Sequence, residues 1–314
     1  MSEPMMEAGH TMTVDRDATT PTTTSLAAAD TKSYGLWNDA WRRLRKNSFA
    51  MAGAGILILI VFVAVAAPLL APNDPILQDY DHLMEGPSWS HPFGTDNFGR
   101  DILSRIIYGS QISLRLGFLG TTVGVAIGAL IGMAAGFYGG WVDSFLMRLL
   151  DIQLAFPGLL LAIVIITVLG VGESNVIIAI GVFSIPVFAR VLRGSIISLR
   201  EQDFIQAARA VGVSDRRLML MHLLPNALAP IVVLTTLRLG TAILTAASLG
   251  FLGLGVRPPS PEWGTMLSEG RTYMQLAPHI AIFPGLAILI TVIALNLLGD
   301  GLRDALDPKM KRTG

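Results

Sequence analysis

The sequence predicts an all-α, polytopic membrane protein with six transmembrane helices. Three observations carry that class. Of 314 residues, 52% are hydrophobic and only 15% are charged, whereas a soluble domain carries roughly a quarter charged residues. Mean hydropathy is +0.58, and the excess lies in Gly, Ala, Leu and Ile, which points to lipid as the solvent. Six segments also reach the length of about 20 mostly apolar residues that a span requires.

Residues 1–33 differ from the rest. They are Thr- and Ala-rich with scattered charge, as in "TMTVDRDATTPTTTSLAAADTK", and lack the apolar core of a signal peptide. Such a stretch cannot bury enough apolar surface to fold, so it is expected to be a disordered cytoplasmic tail. Residues 34–48 follow. In "LWNDAWRRLRKNS", Leu36, Trp37, Ala40, Trp41 and Leu44 share one helical face, with the basic residues on the other. That pattern suits a helix lying in the membrane interface, and the alternative is a plain extension of the first span.

The expected spans run over about 49–71, 112–138, 144–170, 174–191, 227–254 and 279–299. The last five lie within a core, 112–300, and a C-terminal tail follows at 301–314. Basic residues orient the spans. Arg42, Arg43, Arg45 and Lys46 precede the first span. Arg193, Arg200, Arg209, Arg216 and Arg217 lie between the fourth and fifth, and Arg303, Lys309, Lys311 and Arg312 follow the sixth. With both termini inside, all three clusters fall in the cytoplasm. The segment 72–111 is acidic, with Asp74, Asp79, Asp81, Glu85, Asp96 and Asp101, and falls outside, as does 255–278. Within the second span, Gly124, Gly128, Gly132 and Gly136 form a ridge that permits close helix approach. Pro157, Pro186 and Pro284 fall inside spans and are expected to kink them.

Two intramembrane charges stand out. Asp151 lies about 10 Å into the third span. It is a candidate for the translocation path, with a structural pair to Arg148, three residues earlier, as the alternative. Arg238 is deeper, and leaving it in lipid would cost at least ~2.5 kcal/mol. It should face the bundle or an aqueous path, meeting either a carboxylate-bearing substrate or an acid elsewhere in an assembly.

Covalent chemistry is not indicated. Among five histidines there is no HExxH spacing, and neither a phosphate-binding G-x-x-x-x-G-K-[ST] loop nor a G-x-S-x-G elbow occurs. Cysteine is absent, which removes thiolate metal sites and thiol nucleophiles. No cofactor or metal site is expected, and ATP is not bound through such a loop.

The stretch "QAARAVGVSDRRLMLMHLLPN", residues 206–226, interrupts the apolar pattern. Phe204, Ile205, Ala208 and Val211 follow helical spacing, and Gly212 is placed to end that helix. Ser214 can cap a second helix, with Asp215 favoured in its first turn, running to Leu224 and Pro225. A helix-turn-helix for DNA has similar spacing. It needs a free recognition helix, whereas here the segment between spans is only about 35 residues, so nucleic acid is not an expected partner. A plain solvated loop would leave its Met and Leu residues exposed without purpose. A knob that docks a cytoplasmic partner accounts for both the tethering and the apolar tips.

These residues resemble the EAA loop of ABC-importer permeases, of form E-A-A-x3-G-x9-I-x-L-P. Gln206, Ala207, Ala208, Gly212, Leu224 and Pro225 fit it, within a loop of about 192–225 that also includes Asp203 and Phe204. Gln206 replaces the usual Glu, and His222 the usual Ile. Three further motifs, "HPFGTDNFGRDILSRIIYGSQISL", "SLGFLGLGVRPPSPEWGTML" and "NLLGDGLRDALDP", resemble the C-type permease of the dipeptide, oligopeptide and nickel importers. "APHIAIFPGLAIL" and "GDGLRDALDPK" are most similar to its glutathione-import branch. The resemblance implies a type I importer permease fold in the bacterial cytoplasmic membrane, non-catalytic itself. It also implies a homologous second permease, two cytoplasmic ATPase subunits docked on the EAA loop, and an external binding protein. That protein would meet segment 72–111 and the loop "VRPPSPEWGTM". Peptide, glutathione or nickel would be the substrate. The rival class is an ion-gradient-driven carrier, which would require acids deep in the spans.

Overall fold

A computed structural model describes residues 36–306. The tail 1–33 and the basic residues Lys309, Lys311 and Arg312 lie outside the described residues, as do the side chains of Leu36 and Trp37. Among the described residues there is no strand, only an isolated bridge between Thr95 and Asp101. Five helices are long and apolar enough to cross a membrane, and a broken pair makes the sixth candidate.

The chain opens with α1 (Leu36–Leu44) and α2 (Ser48–Val65), separated by a short break in which the Asn47 side chain accepts from the Ala50 amide at 3.1 Å. The break makes α1 a separate helix instead of an extension of the span. Of its apolar face, Trp41 is exposed, whereas Ala40 and Leu44 are covered by this chain. They are buried against Leu298, Leu302, Ala305 and Leu306 of α12 (His279–Leu306). Further along the same pair, a Cβ on Gly53 of α2 would stand 2.7 Å from the Ala294 carbonyl of α12.

After the single turn α3 (Ala67–Leu70), an irregular outer segment leads to α4 (Ile102–Tyr138). At 37 residues, α4 is about 55 Å long. That exceeds the ~30 Å hydrocarbon core, so the helix is longer than a span requires. The glycine ridge of α4 lies against α7 (Glu173–Arg200), the most extensive helix pairing among the described residues. A Cβ on Gly124, Gly128, Gly132 or Gly136 would come within 2.8 Å of Ser184, Ile185 and Phe188, Ala189 or Ile196, respectively. The expected close approach is therefore present, and no larger residue fits at the contact.

The third expected span, 144–170, is not one helix. It divides into α5 (Gly140–Leu154) and α6 (Gly158–Leu169), bent by 87°. Pro157 lacks the amide that would continue the ladder. Pro186 and Pro284 sit inside unbroken helices, α7 and α12, so proline alone does not break a span here. The difference is tertiary. A Cβ on Gly158 would overlap the Phe183 ring of α7, so backbone and ring meet directly at the bend.

Beyond α7 come α8 (Asp203–Ala210), the short α9 (Asp215–Arg217), a π turn at Leu218–Leu223 and α10 (Leu224–Phe251). α11 (Trp263–Arg271) and α12 complete the chain. The main core joins α4, α7 and α10 through Met133, Phe137, Phe188, Leu192, Ile196, Ala227 and Ile231.

Candidate functional site

The segment between α7 and α10 is built outward from that core. Ile205 of α8 and Leu218 and Leu223 of the π turn are buried in the same cluster as Phe137 and Phe188. The π turn makes the last two possible. Residues five apart diverge on an α-helix, but a turn bonded five residues back brings them onto one side. The Leu224 amide bonds to the Met219 carbonyl in this way. Pro225 follows with no amide to give, and the Asn226 side chain donates to the His222 carbonyl at 2.6 Å.

Gly212 ends α8 with φ +81°. Its amide reaches the Arg209 carbonyl at 2.9 Å and that of Val213 reaches Ala208 at 3.1 Å. These are the two bonds of a Schellman motif, which needs a left-handed residue where they cross. Ser214 does stand at the next N-terminus, but its hydroxyl makes no capping bond. The second helix is not free-standing either, since α9 and the π turn run on into α10 as one 37-residue path, 215–251.

Gln206 donates to the Arg200 carbonyl at 3.0 Å, a bond that an ionised glutamate has no proton to make. The Arg200 guanidinium donates to the carbonyls of Gly136 at 3.2 Å and Phe137 at 3.4 Å, closing the C-terminus of α4. Arg209 stands over the Phe137 ring at 5.5 Å. Asp203 occupies the first turn of α8, where the helix dipole favours it. Ala207 is exposed, Ala208 is half-buried, and Leu224 is half-buried beside exposed Pro225. On the outer side of this clamp, Phe204, Leu220, Met221 and Val211 are exposed, Val211 by 80%. The result is an apolar tip on a buried stem.

Of the two intramembrane charges, Asp151 has a different partner from the Arg148 that its spacing suggested. Asp151 pairs with Arg190 of α7, Oδ1 to Nη2 at 2.5 Å, and not with Arg148. Both partners are substantially exposed (61% and 49%), so the pair points away from this chain's core. Asp143 and Arg193 form a second α5–α7 link, bidentate at 2.5 Å. Arg238 is half-buried on α10, and among the described residues no hydrogen bond or ion pair reaches it. Arg190 was legible as an intramembrane cation in "VFARVLRGS", but nothing in the spacing joined it to Asp151, 39 residues away.

Of the acids of the outer segment, Asp96 and Asp101 are spent on its own structure, whereas Asp74, Asp79, Asp81 and Glu85 are exposed. Asp96 accepts from Arg100 Nε at 2.6 Å and lies 3.5 Å from Arg105 Nε. Both arginines also reach Glu269 of α11, at 2.8 and 3.3 Å, and are 2% and 1% exposed. Asp101 caps α4 through Ser104 and meets His91 Nδ1 at 3.0 Å. Glu262 is buried, accepting from the amides of Gly264 and Thr265 at 2.9 and 2.8 Å; burial pushes its carboxyl up while these bonds oppose the shift. Trp263 is buried with its indole N–H on the Ile106 carbonyl at 3.1 Å. Asp96, Asp101, Glu262 and Trp263 therefore do not face outward for a partner. Among these, the Asp96/Arg100 spacing and Asp101 at the start of α4 offered sequence signals.

Residues 128–312 match the family described as the binding-protein-dependent transport system inner membrane component. The chain belongs to this family. Residues 35–87 of this inner membrane component also match the N-terminal transmembrane domain of oligopeptide transport permease C. The chain is 54% identical over 276 residues to a glutathione transport system permease protein from Escherichia coli O6:K15:H31, covering 88% of this chain and 91% of the relative. The Shigella boydii serotype 4 protein of the same name matches to the same extent. In fold it is similar to the inward-facing MetNI methionine ABC transporter, with TM-score 0.53 and 20% identity over 66% of this chain and 98% of that one. A second fold neighbour is an amino acid ABC transporter, with TM-score 0.50 and 16% identity over 64% of this chain and 94% of that one. The chain is thus a multi-pass ABC-importer permease of the inner membrane, and the ion-gradient reading gives way.

Proposed function

We propose that this permease imports glutathione or closely related short peptides, as one half of a permease pair whose energy comes from two separate ATPase subunits. The observation that carries the coupling assignment is the tip-and-stem construction of residues 203–225. Exposed Phe204, Val211, Leu220 and Met221 give an apolar surface for a cleft on an ATPase. Buried Ile205, Leu218 and Leu223 tie that surface to α4, α7 and α10. A push on α8 therefore moves packed helices instead of a loose loop. The basic residues around the segment support a cytoplasmic position for it and for both termini. The chain itself supplies the path and the lever, and ATP chemistry belongs to the partners. An external binding protein delivers substrate, and Arg238 and Asp151, with Arg190, face the path. The 54% identity to glutathione permeases supports the substrate.

Uptake of labelled glutathione by cells expressing the complete system tests this reading. Uptake should cease on deletion of the ATPase subunits, survive an uncoupler while ATP is maintained, and be competed by glutathione in preference to Ni²⁺. Uptake that follows the proton gradient and ignores the ATPases would overturn it.

A further inference from the structure

One face of α10 carries polar residues at helical steps: Arg238, Thr241, Thr245 and Ser248. Residues three and four apart share a helix face. The other faces of this helix bury Gly240, Ala242, Ile243, Ala246 and Ala247 against neighbouring helices. Thr241 is exposed, and Arg238, Thr245 and Ser248 are not buried either, so the stripe opens away from this chain's core. Its donors and acceptors are sorted along the axis. The hydroxyls of Thr245 and Ser248 donate to the carbonyls of Thr241 and Leu244 at 2.8 Å each, which leaves their lone pairs to accept from outside. Arg238 offers only donors and a full positive charge, with no acid of this chain against it among the described residues.

We propose that this stripe is a wall of the translocation path selective for zwitterionic peptide-like substrates, with Arg238 as the contact for the substrate carboxylate. It rests on the importer function proposed above. From Arg238 to Ser248 is about 15 Å at helical rise. An extended three-residue chain spans about 10 Å, so a carboxylate held at Arg238 leaves the amide and ammonium groups facing the hydroxyl acceptors. The outer end borders a cavity of about 440 Å³, walled by Leu159, Leu244, Phe251, Leu267 and Ile288 with Ser248, with room for side chains. An isolated ion pair with the second permease would account for the arginine but not for the acceptors ranged beyond it.

The test uses the complete reconstituted importer with Arg238→Lys, Arg238→Gln and Arg238→Glu. Losing one charge-assisted hydrogen bond should lower glutathione uptake about tenfold in the Gln variant. The Lys variant should stay closer to the parent, and the Glu variant should fall further than Gln. Recovery of the second permease and ATP hydrolysis stimulated by the binding protein should remain. Unchanged uptake by the Gln variant would overturn the proposal, as would loss of the second permease from it, which would mark Arg238 as a structural pair. If the parent importer does not carry glutathione at all, the substrate reading fails first. The ratio of variant to parent uptake is then read on a carboxylate-bearing dipeptide.

Discussion

At the scale of residues, Asp79 and His82 of the outer segment make an exposed pair at 2.9 Å. The His82 hydrogen bond holds the Asp79 carboxyl below its ordinary 3.8, and Asp79 holds the His82 ring above its ordinary 6.5. The pair is complete between those limits. Its contribution is lost as pH falls through the lowered carboxyl value, and again as pH rises through the raised imidazole value. Asp79→Asn should return His82 to an ordinary histidine titration, read by NMR of the ring protons; an unmoved titration would assign the shift to another neighbour. Residue pairing was the part of the molecule least legible from sequence. The pair Asp151–Arg190 depends on how α5 turns against α7, and Arg148 at three-residue spacing was the only partner local geometry offered. Gly99 shows the same limit. With φ +72°, a Cβ there would fall on the Asp79 carbonyl, a requirement set by chain segments about 20 residues apart.

At the scale of elements, the loop 203–225 was legible because its signals are local: helical spacing, Gly212 at the stop, and Pro225 at the junction. The π turn was not. It follows from Pro225 together with the need to bury both Leu218 and Leu223, and the second condition exists only in the packed state. A kink at Pro157 was expected, but its size was not legible, because the Phe183 contact at Gly158 that accompanies the 87° bend is tertiary. Gly212→Asp loses the residue type best suited to φ +81°; a non-glycine residue in a strained backbone region costs of order 1–3 kcal/mol. No neighbour lies within 4 Å of that position, so the rest of the fold does not feel the change. The expected outcome is normal membrane insertion with loss of both uptake and ATPase co-purification. Undiminished co-purification would separate the segment from docking.

At the scale of the whole molecule, the bundle is organised by where glycine lets helices meet. The six apolar runs and the ridge on α4 were readable as composition and period, whereas the partner face on α7 was not. Gly128→Leu should overpack the α4–α7 contact, where a Cβ would stand 2.7 Å from both the Ile185 carbonyl and the Phe188 Cβ. Overpacking of this kind costs about 1–3 kcal/mol, read as a lowered Tm in detergent. Gly55→Leu, at a site with nothing within 4 Å, serves as the control and should leave Tm unchanged.

The central claim is that the tip of residues 203–225 receives force from an ATPase. The chain contains no cysteine, so single cysteines placed in it report unambiguously. Val211→Cys on the tip and Trp89→Cys in the outer segment are both highly exposed positions. In membranes holding the whole importer, a thiol cross-linker should join Val211→Cys to an ATPase subunit, and nucleotide should change the yield. Trp89→Cys should give no such product. An ATPase adduct from Trp89→Cys, with none from Val211→Cys, would contradict the account.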